Sequence, residues 1–181
     1  IGNTSISQKI AQPREGSEKT AQAHSSYNAT TKSGYLRREV IDHGGQAHIY
    51  FCEDLERGDW LAGKMVTDSL SAQAQKELLQ EARRHSTLFH EHIVRFKGLA
   101  YLGKEPMLVM EFLHGSTLQE IARKEKLASS RVARWMLQVI DALIYAHSLG
   151  IAHRDVKPEN VMICASRESE ERYAVVIDWG N

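Results

Sequence analysis

Two stretches of the chain repeat their apolar residues at a helical interval, and much of the rest runs in short apolar segments broken by turns. Residues 71–89 lack Gly and Pro and are rich in Ala, Gln, Glu and Leu. Leu78, Ala82, His85 and Phe89 fall on one side of the helix this predicts. A longer helix is predicted over 129–149, where Val132, Trp135, Met136, Val139, Ile140 and Leu143 recur at helical spacing and Gly150 supplies the stop. The remaining segments read as strands. Residues 38–41 and 47–53 flank the turn His43-Gly44-Gly45, a hairpin signal. A third strand, 59–66, is entered through Arg57-Gly58, and 94–102 and 107–112 are joined by Gly103-Lys104-Glu105-Pro106. Thr117, with Glu120 three residues on, is a capping box opening a short helix. Residues 160–164 and 173–177 form a last apolar strand pair. No internal repeat is present. The layout is α+β: a small antiparallel sheet with one helix, then the first part of a mainly helical lobe.

Residues 1–34 stand apart. They are dominated by Ser, Thr, Gln, Ala and Asn, and only Ile1, Ile6, Ile10 and Tyr27 offer larger apolar surface. Such a segment cannot repay its ordering entropy and is expected to be a flexible leader. Glu15 and Glu18 weigh against a mitochondrial transit peptide, which is poor in acids. Composition narrows the partners. Lys plus Arg and Asp plus Glu both number 23, so no basic excess points to nucleic acid or a membrane surface. Two cysteines, Cys52 and Cys164, are too few for a disulfide framework, and reduced thiols in a cytoplasmic or nuclear compartment are expected. No apolar run is long enough to span a bilayer. The chain opens on Ile1 rather than Met and closes on Trp179-Gly180-Asn181 directly after an apolar run, so both ends are expected to be cut.

The sharpest chemistry lies in His153-Arg154-Asp155-Val156-Lys157-Pro158-Glu159-Asn160. An Asp and an Asn with four residues between them, on a loop joining helix to strand, can face one pocket. The Asp can accept a hydroxyl proton while the Asn amide oxygen ligates a divalent cation. A second carboxylate, Asp178, follows the apolar strand Ala174-Val175-Val176-Ile177. Mg²⁺ bound with a nucleotide needs one or two carboxylates plus phosphate oxygens, and this trio can supply the protein's share.

His-Arg-Asp-x-Lys-Pro-Glu-Asn followed by Asp-Trp-Gly resembles the catalytic loop and metal motif of the eukaryotic protein kinases, and the resemblance runs in order over 35–181. It implies a two-lobe fold with a complete small lobe over about 35–112 and only the start of the large lobe over about 113–181. It also implies that Asp155 is the catalytic base, that Asn160 and Asp178 hold Mg²⁺, and that Lys157 lies near the transferred phosphoryl group. Lys at that place is typical of Ser/Thr-directed members. Ala62-Gly63-Lys64 resembles the family's third-strand motif, with Lys64 contacting the α- and β-phosphates of ATP and pairing with Glu81. Leu88-x-His90-x-x-Ile93-Val94 matches the exit of the family's helix, which makes His90 and His92 packing and turn residues rather than a metal pair. Met110-Glu111-Phe112-Leu113-His114-Gly115 matches the hinge segment. By the resemblance Met110 guards the back of the adenine pocket, Leu113 donates to adenine, and Ile49, Ala62 and Met162 sandwich the purine. Ile41 and Glu111 complete the implied nucleotide-binding set.

The chain departs from the family at the phosphate loop, where Asp42-His43-Gly44-Gly45-Gln46-Ala47-His48-Ile49 stands for Gly-x-Gly-x-x-Gly-x-Val. Gly44, Gly45 and Ala47 still allow close backbone approach to phosphate, whereas Asp42 adds negative charge if it turns inward. Trp179 replaces the usual Phe. By the resemblance, an activation segment and an Ala-Pro-Glu-like anchor are expected beyond Asn181, outside the 181 residues. The function implied for the intact parent is transfer of the ATP γ-phosphoryl group to Ser/Thr hydroxyls of a protein substrate, with residues 1–181 alone inactive. The rival is a pseudokinase serving as an interaction or scaffold module. Arg154 is expected to pair with a phosphorylated residue of the activation segment.

Overall fold

The computed structural model describes residues 29–30, 34–43, 47–67, 71–166 and 171–180. They form two compact units. One takes the described residues up to Ser86 together with Phe96–Phe112; the other takes Thr87–Arg95 with the described residues from Leu113 onward.

The first unit is a six-stranded antiparallel sheet with one helix. Its strands are β1 (Ala29–Thr30), β2 (Tyr35–His43), β3 (Ala47–Asp54), β4 (Trp60–Val66), β5 (Phe96–Leu102) and β6 (Glu105–Glu111), in the order β1-β2-β3-β4-β6-β5. β1 falls inside the stretch expected as a leader, where Ala29 pairs with Arg37; residues 1–28 lie outside the described set. Alternation along β4 divides its side chains. Leu61 and Met65 join Cys52, Ala100, Met107 and Val109 in one core, while Ala62 and Lys64 turn to the other face. That other face is covered by α1 (Ala72–His85), whose Leu78 and Ala82 pack on Leu108. Gly63 is required between the two, because a Cβ there would come within 2.6 Å of Met107 Sδ and 2.8 Å of Cys52 Sγ.

α1 starts where expected, with Ser71 Oγ accepting the Ala74 N–H at 3.2 Å, but it ends four residues early. Ser86 closes it: its N–H returns to the Ala82 carbonyl and its hydroxyl donates to the Arg83 carbonyl at 2.8 Å. Phe89, expected on the buried side, is instead 67% exposed beyond the helix, while Glu81 joins Leu78, Ala82 and His85 inside.

The second unit holds a three-stranded antiparallel sheet, β7 (Gly115–Thr117), β8 (Val161–Ala165) and β9 (Arg172–Val176), with α2 (Leu118–Lys124) and α3 (Ser129–Ser148). The capping box of α2 forms: Thr117 Oγ1 accepts from Glu120 N, and the Glu120 carboxylate accepts from Thr117 N. β7 has no alternating signature and was not expected. Its backbone lies so close to β8 that a Cβ on Gly115 would overlap the Ile163 carbonyl. α3 buries Trp135, Val139, Ala142 and Ala146. Within the expected stripe Trp135 and Val139 are buried and Val132, Met136 and Leu143 half-buried, while Ile140 is 50% exposed; the small Ala142 and Ala146 let the helix approach β9. Trp135 donates its indole N–H to the Arg172 carbonyl at 3.1 Å and Gln138 accepts from Ala174 N at 2.8 Å, fixing that approach. Residues 87–95 are tied to β9 through Val94 N–Val176 O and Val176 N–His92 O. No helix among the described residues is long and apolar enough to cross a membrane.

Candidate active site

In the first unit, Lys64 projects from β4 toward α1 and meets Glu81. Its ammonium lies 2.8 and 2.9 Å from the two carboxylate oxygens, and the side chains are only 14% and 7% exposed. A pair so shielded attracts strongly but has lost most of its hydration, so each charge depends on the other. Around Lys64 the register sets Ile49 on one side and Leu108 on the other. Ala62 lies opposite Met110, whose side chain packs on the Leu78–Ala82–Leu108 group. Glu111 pairs with Leu61 and Ala47 with Val66, both half-buried, as is Ile41. Asp42 pairs with Ile49 and so belongs to the Lys64 face, where it is exposed. Gly44 and Gly45 lie outside the described residues.

In the second unit, the loop after α3 folds around His153. The buried imidazole accepts the Asp155 N–H at Nδ1 (3.3 Å), which leaves its proton on Nε2, 2.9 Å from the Ile177 carbonyl oxygen. One ring thus links the loop to the segment carrying Asp178. Trp179 closes the arrangement edge-on to His153, 4.7 Å between centroids, and donates its indole N–H to the Val176 carbonyl at 3.4 Å. Arg154 and Asp178 adopt φ of 64° and 62°, the sole left-handed non-glycine residues among those described. Side-chain-bearing residues rarely hold that conformation unless their surroundings enforce it, and such residues gather at working sites.

Asp155 Oδ2 receives Lys157 Nζ at 2.6 Å and Asn160 Nδ2 at 3.1 Å, and the same amide donates to the Asp155 carbonyl at 2.9 Å. The Lys157 hydrogen bond, above all, holds the Asp155 carboxyl below its ordinary range, and the same bond raises Lys157. The negative charges of Glu159 and Asp178 raise Lys157 further. Asn160 is buried, and with Nδ2 committed its amide oxygen accepts no hydrogen bond from any described residue. That oxygen and the Asp178 carboxylate are hard donors of the kind Mg²⁺ takes, so the residues fit the ion. Met162 pairs with Thr117 and Val175, and Leu113 is half-buried in the same unit.

The sequence pattern of a protein kinase domain matches residues 35–181. The chain belongs to the protein kinase family. It is 33% identical over 142 residues to the serine/threonine-protein kinase pkn2 of Myxococcus xanthus, covering 77% of this chain and 17% of that protein. To the serine/threonine-protein kinase PknE of Mycobacterium tuberculosis it is 29% identical over 149 residues, 81% of this chain and 25% of the other. The chain therefore spans a quarter or less of the length of these relatives. Among solved structures, the PknI kinase domain of M. tuberculosis superposes with a TM-score of 0.69 at 22% identity, over 85% of this chain and 62% of that one. Rad53 residues 1–466 in complex with AMP-PNP gives 0.68 at 26% identity, over 81% and 38%. The antiparallel sheet with α1 and the beginning of a helical second unit are those of a kinase-like α+β fold.

Within each unit of the kinase domain the expected residues meet: Lys64 with Glu81, and Asp155 with Lys157 and Asn160. His153 carried no expected role, although its ring links Asp155 to Ile177. Nothing local announces that link, since the Ile177 carbonyl is 24 residues away. His90 and His92 are packing residues as expected: His90 faces Asp141 at 3.2 Å and His92 Nδ1 lies 2.9 Å from the Ala174 carbonyl. Cys52 and Cys164 are buried, and burial pushes the Cys52 thiol up to about 12, which leaves it unreactive.

Proposed function

We propose that the protein carrying this domain transfers the γ-phosphoryl group of ATP to Ser or Thr hydroxyls of a protein substrate. The observation that carries the reading is the holding of Asp155. Its Oδ2 is engaged by Lys157 and Asn160, while Oδ1 accepts no hydrogen bond from any described residue. A carboxylate pinned by one oxygen offers the other in a fixed direction, which suits it to accept a substrate hydroxyl. Because Lys157 keeps it ionised below the usual range, Asp155 is a weak base. Its work is to orient the hydroxyl and take the proton late, as a loose phosphoryl-transfer transition state permits. Lys157 neutralises charge on the transferred group.

Lys64, steadied by Glu81, binds the α- and β-phosphates. Asn160 and Asp178 hold Mg²⁺, which when bound neutralises charge on the phosphate oxygens. Ile41, Ile49, Ala62, Met110, Glu111, Leu113 and Met162 serve the nucleoside, with Gly44, Gly45 and Ala47 at the phosphates. The Ser/Thr preference rests on Lys157 and on the relatives named serine/threonine-protein kinases; nucleotide use is supported by the AMP-PNP complex of Rad53.

One observation favours the second reading, an interaction module with weak or no catalysis. Asp42 stands where the family has glycine, and its register puts it on the Lys64 face. Calorimetric titration of the intact protein with ATP, with and without Mg²⁺, separates the two. The kinase reading expects Mg²⁺ to raise ATP affinity and Asp178→Ala to abolish that increment. Binding indifferent to the metal supports the module.

A further inference from the structure

Two histidines at the mouth of the β2–β3 hairpin have no part in the kinase reading. His43 and His48 are directly opposite in register, so their side chains share one sheet face. It is the face of Met65, the partner of His48, and not that of Lys64. The ring centroids are 5.0 Å apart with the planes at 79°. Neither imidazole makes a hydrogen bond or ion pair with any described residue, and His48 Nδ1 is shut from water without a partner. Buried polar atoms are nearly always satisfied; here the buried His48 Nδ1 has no partner, and no described residue engages the pair's other ring nitrogens.

A second neighbouring pair among the described residues shows the contrast. His90 and His92 have centroids 5.7 Å apart, but three of their four ring nitrogens are committed. His90 uses Nε2 on Asp141 and Nδ1 on the His92 N–H, and His92 uses Nδ1 on the Ala174 carbonyl.

We propose that His43 and His48 form a two-histidine site for a late first-row divalent ion of the Zn²⁺ class, bound across β2 and β3 where they enter residues 44–46. Imidazole nitrogen suits Zn²⁺, Cu²⁺ and Ni²⁺, whereas Mg²⁺ takes oxygen, so the site is orthogonal to the nucleotide metal. Two imidazoles bound to one tetrahedral ion at a Zn–N distance of about 2.0–2.1 Å have ring centroids about 5 Å apart. His43 and His48 already have that separation. Among the described residues no third His, Cys, Asp or Glu joins them, so two coordination positions stay with water. The Arg37 guanidinium, stacked at 4.7 Å over Tyr50, whose ring lies 6.4 Å from His48, opposes a cation and keeps the affinity moderate. A bound ion ties β2 to β3 at the base of the phosphate loop, whether or not the domain transfers phosphate.

Titration of the intact protein with Zn²⁺ against a chromogenic chelator tests the site, with the melting temperature as a second readout. One equivalent should bind, excess Mg²⁺ should not displace it, and the melting temperature should rise. Even outer-shell partners of a metal are worth about 10–100-fold in affinity, so His43→Ala and His48→Ala should each weaken binding at least tenfold. The exposed His147→Ala should bind as the parent does. His48→Gln, which keeps size and polarity, guards against simple loss of fold and should bind as poorly as His48→Ala. Absence of a one-equivalent Zn²⁺ site, or a site that survives both alanine variants, overturns the proposal.

Discussion

Removing Lys157 asks how Asp155 is held. Lys157 Nζ, 2.6 Å from Oδ2, is the largest cause of the lowered Asp155 carboxyl. Lys157→Met should therefore move the Asp155 titration up toward the ordinary value of about 3.9, read from its carboxyl NMR shift. The folded carboxyl titrates below its unfolded value, so its ionised form favours the fold above the unfolded pKa. That contribution fades as pH falls through the lower folded value, and the variant should lose it. Lys64 is a different case because its pair is shielded. Lys64→Met leaves the Glu81 carboxylate buried without this cation and should destabilise the domain by about 3–5 kcal/mol, whereas Lys64→Met/Glu81→Leu should recover much of the loss in denaturant unfolding. Lys157 was expected near the transferred phosphoryl group rather than against Asp155, whereas the Lys64–Glu81 pair was legible in the sequence, because the third-strand motif and the spacing to Ile93-Val94 fixed which lysine and which carboxylate to look for. His153 was not: its value comes from a carbonyl and an indole ring that only the folded chain brings near.

At the scale of the element, patterns with strong period were legible and close packing was not. The hairpins, α1, α2 and α3 stand within a few residues of expectation, because turns, caps and apolar spacing are local signals. The end of α1 moved because Ser86 can satisfy its last carbonyls, a competition that apolar spacing does not register. β7 escaped because three residues carry no alternation and its determinant is the missing side chain of Gly115 against Ile163. Gly115→Ala should cost about 1–3 kcal/mol, the range for overpacking against a site that cannot yield. Gly63→Ala should cost less, since Met107 and Cys52 side chains, not backbone, receive the new methyl. Urea unfolding of the two variants gives the order.

At the scale of the whole molecule, the apolar surface left on α3 governs behaviour in solution. Leu137, Ile140 and Ile144 are 66%, 50% and 62% exposed along one helix. A contiguous apolar row of this kind promotes association, so the 181-residue chain should self-associate. Ile140→Gln/Ile144→Gln should reduce its mass by light scattering without loss of helical circular dichroism. The family and its α+β architecture were legible from two motifs and the order of elements, and so was an apolar stripe on this helix wider than its packing needs, Ile140 included; that Leu137 and Ile144 flank Ile140 in it was not, because this depends on which side of α3 meets β9. The central claim, that Asp155 is the catalytic base of a protein kinase, is tested most directly by Asp155→Asn in the intact protein, with phosphoryl transfer from labelled ATP and ATP binding measured together. Transfer should fall by about 10²–10⁴, the range for loss of a general base, while Mg²⁺·ATP binds as in the parent. Transfer that is undiminished in Asp155→Asn would contradict the account.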